Sequence, residues 1–380
     1  MDSTGHELLR GRVADWFPLL PRTRPPCRAL PLRIDELREL ARSASQGTDE
    51  PRISSAAETH NKAALILSDC GLADLAQQLC WRQFDIFHAA TPLTAKTAKL
   101  ALQPVVNLGR LLTRGGHGGR AYQIFQNAYD AVRTQAATTI DGRYIDFSHL
   151  VDQVEGRWEL RKFLWTVLLA DGTRALTSAG RWGDAVRHVE QHKGVGKRML
   201  DGRQVVILAR CTAGDCDGAI VMLDDSSTPD PWEEAVAACL RTLCLSVSDR
   251  PTGSSVAAMV NRYLQLDPTP GHPVFRTRLG LCVLDLAGGR GGVGEPEVAA
   301  RIVREAVTAA DAYVAWDVLS HTSCHSSMTE ADKQALAEVI EASGLRRGTM
   351  PADLLDDLMV SVRTSEAQLV QLLGQDVLTR

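Results

Sequence analysis

Long apolar runs are missing from this chain. Nothing in its 380 residues approaches the roughly 18 consecutive apolar residues that a membrane helix needs, so no membrane span is expected. The N-terminus lacks the basic-then-apolar order of a secretory signal. An excess of one charge is also missing: 42 Lys and Arg stand against 46 Asp and Glu. The net charge of −4 offers no chain-wide field for nucleic acid or membrane. Strand-like alternation is scarce, which argues against an all-β or α/β fold. Paired cysteines are not in evidence either. The nine cysteines are odd in number, and Cys80, Cys239 and Cys282 fall on apolar helical faces. Free, buried thiols in a reducing cytoplasm fit this better than a disulfide framework.

What is present is a globular composition, 44% hydrophobic and 23% charged. The length suits two ordinary domains or one elongated repeat architecture. Residues 10–33 stand apart: Arg10, Arg12, Arg22, Arg24, Arg28 and Arg33 face only Asp15, among Pro18, Pro21, Pro25, Pro26 and Pro31. This reads as an extended arm, either a solvated tail or a docking segment. Residues 1–50 are accordingly assigned to the arm and a lead-in helix, and 51–380 to one helical domain.

One spacing organises the rest. Glycine precedes alanine by five positions at Gly71–Ala76, Gly116–Ala121, Gly180–Ala185 and Gly214–Ala219. Glycine ends a helix in the left-handed conformation without a Cβ penalty. Alanine in the next helix then lets two backbones approach. The unit is a helical hairpin. After Gly71, the residues Leu72, Leu75, Ala76, Leu79, Cys80 and Phe84 follow a helical stripe, as do Ala121, Ile124, Phe125, Ala128 and Tyr129 after Gly116. Pro231, behind an Asp230 cap, and Pro296 occupy the favoured first turn of further helices. VVILA at 205–209 reads as a buried first helix. Hairpins with longer turns continue past residue 250, Thr329 and Asp332 make a capping arrangement, and a final helix pair is expected over about 352–374.

This grammar resembles the tetratricopeptide repeat. Leu108-Gly109, Gly116, Ala121, Phe125 and Ala128 match its places, and so do Gly180, Trp182 and Ala185. Gly180 and Gly214 are 34 residues apart, the family's period, while the other intervals are 45 and 64. Arg203 and Arg210 depart from the pattern, falling where apolar residues are usual. The resemblance implies an all-α, right-handed α-solenoid of antiparallel hairpins with a concave binding face.

The short motifs argue for little chemistry. GRGGVG at 289–294 fits a dinucleotide loop in spelling only, since it follows a helical stripe. GVGKR at 194–198 has Arg198 where a phosphate loop needs Ser or Thr, so no nucleotide or other cofactor is expected. HTSCH supplies His321, Cys324 and His325, which read as polar turn residues first and as a metal site or thiol–imidazole nucleophile second. Cys211 and Cys216 belong to a different hairpin. His188 and His192 share a helix face, one expected to pack and the other to be exposed.

The tetratricopeptide resemblance implies groove-facing places at Asn61, Asp69, Arg110, Arg114 and Arg174, with Asn107 one position away. Guanidiniums and carboxamides on one wall suit an acidic or C-terminal peptide segment. The expected function is a non-catalytic binding protein or scaffold. The alternatives are a ligand-sensing regulator and an enzyme subunit using the 321–325 loop. The stretches ETHNKAALILSDCGLADLAQQLCWRQFD and AKLALQPVVNLGRLL are also similar to actinobacterial helical-repeat proteins that accompany small kinases in peptide-natural-product pathways. Class V lanthipeptide synthetases are the example. That likeness implies an accessory subunit whose partners are a kinase or lyase and a precursor peptide.

Overall fold

The computed structural model describes residues 13, 16–44, 48–267, 272–288 and 294–378. Among them, 17 α-helices make the chain 74% helical. The first seven are α1 Leu30–Ser43, α2 Asp49–Asp69, α3 Ala73–Ala89, α4 Ala95–Arg114, α5 Gly118–Thr134, α6 Val154–Val167 and α7 Thr173–Ser178. A hairpin of β1 Ala137–Ile140 and β2 Arg143–Asp146 follows α5, and a π-helical turn, Leu168–Gly172, joins α6 to α7. Next come α8 Trp182–Gln191, α9 Asp201–Thr212, α10 Cys216–Asp224, α11 Pro231–Val247 and α12 Gly253–Leu264. The last are α13 Pro273–Ala287, α14 Glu295–Ala309, α15 Ala312–Leu319, α16 Glu330–Ser343 and α17 Ala352–Leu378, with a 3₁₀ turn at Thr322–Ser327. GRGGVG lies, but for Gly294, outside the described residues.

The glycine–alanine joints fold as their chemistry dictates. Gly71, Gly116, Gly180 and Gly214 all have positive φ, between 68° and 86°. At Gly71 the following Leu72 N–H reaches back to the Leu67 carbonyl at 2.8 Å, and His117 N–H reaches Leu112 in the same way after Gly116. These bonds satisfy carbonyls that a helix end would otherwise leave open. Ala76, Ala121, Ala185 and Ala219 are all fully buried. Close approach is demanding at Gly109, where a Cβ would sit 2.4 Å from the Phe125 ring, and more so at Gly118, where it would sit 2.1 Å from the Ala175 carbonyl oxygen.

Two compact units result, each assembled from distant parts of the sequence: residues 29–179 with 343–380, and residues 1–28 with 180–342. The stretch 51–380 thus contributes to both. In the first unit each helix packs on its neighbour and often on the next but one, α2 on α3 and α4, α4 on α5 and α6. This is the nearest-neighbour logic of a helical repeat. Helix α17 returns to cover α1, α2 and α3, burying Leu358, Val362, Leu369, Leu372 and Leu373. It is one helix rather than the expected pair, because no glycine or proline interrupts it before Gly374.

The β-hairpin is a second difference from expectation. Asp141 and Gly142 both have positive φ, as a two-residue hairpin turn demands. Ile140 pairs with Arg143, and Ile140 and Ile145 enter the unit's core. Asp141 accepts hydrogen bonds from Gln77 and Arg120, at 2.7 Å each, which fastens the turn to α3 and α5.

In the second unit α8 to α15 stack in sequence order around a core that includes Leu240, Met259, Leu279 and Cys282. The expected caps are in place: Asp230 and Glu233 form a capping box before α11. Thr329 N–H donates to Asp332 at 2.9 Å while Asp332 N–H donates to the Thr329 hydroxyl at 3.1 Å. VVILA is buried in α9 from Val205 to Leu208. The misfit Arg203 is buried too. It donates to Ser226 Oγ at 2.7 Å and to the carbonyls of Gly196 and Met222 at 2.8 and 2.7 Å, so one guanidinium ties three chain segments together.

Candidate functional site

Helix α4 carries a polar row on one face: Gln103, Asn107, Arg110 and Arg114 recur at spacings of four, three and four. Each meets a group from within the first unit. Gln103 Nε2 donates to Asn107 Oδ1 at 3.2 Å, and Asn107 Nδ2 donates to Asn61 Oδ1 on α2 at 2.8 Å. Arg110 grips Asp171 bidentately, Nε at 3.1 Å and an Nη at 2.9 Å. Asp171 lies in the π-helical turn, a rare form that recurs at functional sites. Arg114 donates to Ser68 Oγ at 3.2 Å and lies 3.5 Å from Asp69. Asp69 is buried against the equally buried Arg33 at 2.6 Å. Arg174 follows Asp171 on α7 and is half-buried.

Of the six groove candidates, Asn61 therefore meets Asn107, and Asp69 meets Arg114. Arg110 and Arg174 flank the π-helical turn. Sequence reasoning missed Gln103, Ser68, Asp171 and Arg33. Gln103 was discoverable, four residues before Asn107 on the same face; the other three left no local trace. Electrostatically the row is lopsided, with Arg33, Arg110, Arg114 and Arg174 against Asp69 and Asp171. Arg110 is 46% exposed and Arg114 42%. A guanidinium has five N–H donors, so a pair of bonds to Asp171 leaves donors on Arg110 for an incoming carboxylate.

Comparison with protein-family models, curated proteins and solved structures finds no match to this chain. The chemistry of the row itself has to carry its reading.

The second unit uses its polar groups differently. Over residues 16–28 the arm docks rather than extending into solvent: Phe17 and Leu19 enter that unit's core, and Cys27 is buried. The buried Gln204 carboxamide reads the arm's backbone, accepting from Leu19 N–H at 2.8 Å and donating to the Leu19 carbonyl at 2.9 Å. Arg22 pairs with Asp201 at 2.6 Å. The Arg24 guanidinium stacks 3.5 Å from the Tyr313 ring centre. Ala312 N–H donates to the Cys27 carbonyl at 2.9 Å.

The 321–325 loop belongs to this clamp. His321 Nε2 contacts Asp285 Oδ1 at 2.9 Å, and the other oxygen of Asp285 accepts from Trp16 Nε1 at 2.7 Å. Cys324 is buried, and burial, helped by Asp285, pushes its thiol up to about 12. The thiol form is therefore the favoured one at neutral pH. His325 instead meets the Leu319 carbonyl at 3.0 Å. Among the described residues no three His, Cys, Asp or Glu side chains gather as metal ligands. The rings of His188 and His192 lie 4.8 Å apart, with His188 buried and His192 half-buried.

Proposed function

We propose that this protein is a non-catalytic helical-repeat binding protein that holds an acidic peptide segment, or the C-terminal carboxylate of a partner, on the α2–α4–α7 face of its first unit. In this reading the first unit is wound like a right-handed tetratricopeptide solenoid and the polar row lines its concave wall. The observation that carries the reading is the connected row itself, in which exposed guanidiniums are held in place by neighbouring carboxylates. A guanidinium already oriented loses less side-chain entropy when a ligand carboxylate arrives. The Asn61 and Asn107 carboxamides offer donors and acceptors to the backbone of an extended segment.

The likeness to accessory proteins of lanthipeptide-type pathways supports a specific setting. There the ligand is a precursor peptide, or a segment of a partner kinase or lyase. The protein would act as the subunit that keeps the two together.

Fluorescence anisotropy with labelled acidic peptides, each made with a free or an amidated C-terminus, tests this. Binding should weaken with added salt. Arg110→Ala should weaken it by about tenfold to a hundredfold, the equivalent of one charged hydrogen-bonding group. Equal affinity for acidic and neutral peptides, or an Arg110→Ala variant that binds and co-purifies partners unchanged, would sink the proposal.

A further inference from the structure

The second unit gathers three thiols at one of its glycine joints. Cys211 lies in the last turn of α9, Cys216 opens α10, and Cys244 sits on α11, which packs on both. Gly214 makes the turn between the first two, closed by the Asp215 N–H on the Arg210 carbonyl at 2.9 Å. Cys211 Sγ lies 3.5 Å from Cys216 Sγ, and the Cys244 thiol is close enough to Cys211 for the two to interact. Access singles out one of them. Cys216 is 6% exposed, whereas the other eight cysteines are 2% exposed or less.

We propose that Cys211, Cys216 and Cys244 form a peroxide-oxidisable thiol relay, with Cys216 as the entry point and a Cys211–Cys216 disulfide as its first product. The Cys216 thiol, which burial holds above the ordinary thiol pKa, gives up its proton as it attacks one oxygen of a peroxide. An S–O bond forms, the O–O bond breaks, and hydroxide leaves to take up a proton as water. Cys216 is then a sulfenic acid. The Cys211 thiol, itself held protonated by its thiol neighbours and by burial, attacks that sulfur, an S–S bond forms, and the S–O bond breaks as the departing oxygen takes up the Cys211 proton and leaves as water. Two thiols have lost two electrons, and the peroxide has become two waters. The sulfurs are already in contact and need only close to roughly 2.0 Å.

Cys244 completes the relay by exchange. Its thiolate attacks Cys211 Sγ, the new bond joins 211 to 244, and Cys216 leaves as a thiolate. Interaction with the neighbouring Cys211 thiol, helped by Arg241, holds the Cys244 pKa below the ordinary thiol value, which favours that attack. The fold supplies its own control. Cys239 and Cys282 also hydrogen-bond each other, yet both are fully buried, so a peroxide has no path to them.

The test is hydrogen peroxide treatment of the full-length native protein, followed by alkylation, unfolding, trypsin digestion and mass mapping. The first product should be a disulfide within the tryptic stretch 211–241, lighter by two hydrogens and retaining an alkylatable Cys239. Cys216→Ser should slow peroxide-driven thiol loss about tenfold, the expected result of removing the accessible thiol. Cys244→Ser should leave the first disulfide intact and abolish the 211–244 product. First oxidation at any other cysteine, or a Cys216 that goes to sulfinic acid without a disulfide, overturns the relay. The wild-type map decides the question even if the Cys216 variant fails to fold.

Discussion

The two units solve one problem with opposite means. Each stack of helices is closed by a segment from the far end of the chain: the first by α17, the second by the arm at 16–28. A helix satisfies its own backbone hydrogen bonds, so α17 brings side chains alone: an apolar stripe of Leu358, Val362, Leu369 and Leu372, with Asp357, Glu366 and Gln368 meeting Arg38, Arg82 and Arg52. An extended, proline-rich segment has few internal partners; here the Arg22 N–H reaches the Leu20 carbonyl at 2.9 Å. Its receptor must supply the others, and the second unit does so with the Gln204 carboxamide, the Ala312 N–H and the carboxylates of Asp201 and Asp285. The polar groups of one unit are therefore occupied in holding its own chain. Those on α4 of the other keep exposed guanidinium donors.

The strongest test of this contrast pairs the two closing segments. Leu369→Ala and Phe17→Ala each empty a fully or nearly buried site, at a cost of about 3–5 kcal/mol. Amide hydrogen exchange should show the first loosening only residues 29–179 and 343–378, and the second only the arm and 180–342. Loosening of both units by either variant would show that they do not fold as separate bodies.

Next in size is Gln204→Met, which keeps the volume but leaves the Leu19 N–H and carbonyl without their partner. About 2 kcal/mol should be lost, with faster exchange at Leu19 in particular. A comparable polar deletion on α17, Ser361→Ala, should cost much less, because its hydroxyl serves only the Asp357 carbonyl one turn back. Equal losses in chemical denaturation would erase the distinction between helical and extended closure.

Acid should also separate the units. Burial, helped by Arg82, holds His60 of α2 down at about 3, although the Glu366 carboxylate is 3.7 Å away. A histidine with a depressed folded-state pKa is neutral when folded and takes up a proton on unfolding. Its contribution is fully present above the ordinary pKa of about 6.5 and is lost as pH falls toward 3, by up to about 1.4 kcal/mol per pH unit. Urea melts between pH 7 and 4, monitored by exchange, should show this slope in the first unit, and His60→Leu should flatten it. The smallest effect is expected at Thr329→Ala, where losing the cap of α16 should cost about 1 kcal/mol. A thermal melt suffices to see it.

Legibility followed the range of the interaction. The four joints were readable because capping and close approach are settled within a few residues, and the Asp230–Glu233 and Thr329–Asp332 caps were readable for the same reason. Asp141-Gly142 carried a local hairpin signal as well, but the helical stripes on either side masked it. The arm's prolines and arginines describe an extended segment without saying what receives it, which left a solvated tail and a docking segment both open. Arg203 broke the repeat pattern in sequence and turned out to be a buried tie, since its partners lie in the loop before α9, in the last turn of α10 and just after it. Asp171 could not have been assigned to Arg110, because the two are 61 residues apart and meet only through packing.

By itself, then, the sequence determined the helices, their stops and the faces they bury, because these depend on periodicity and on what glycine, alanine and proline permit locally. Tertiary structure alone decided that each terminus closes the other half of the chain, and which carboxylate holds each arginine. Those outcomes rest on shape and charge meeting across long sequence separations, where no residue's identity names its partner.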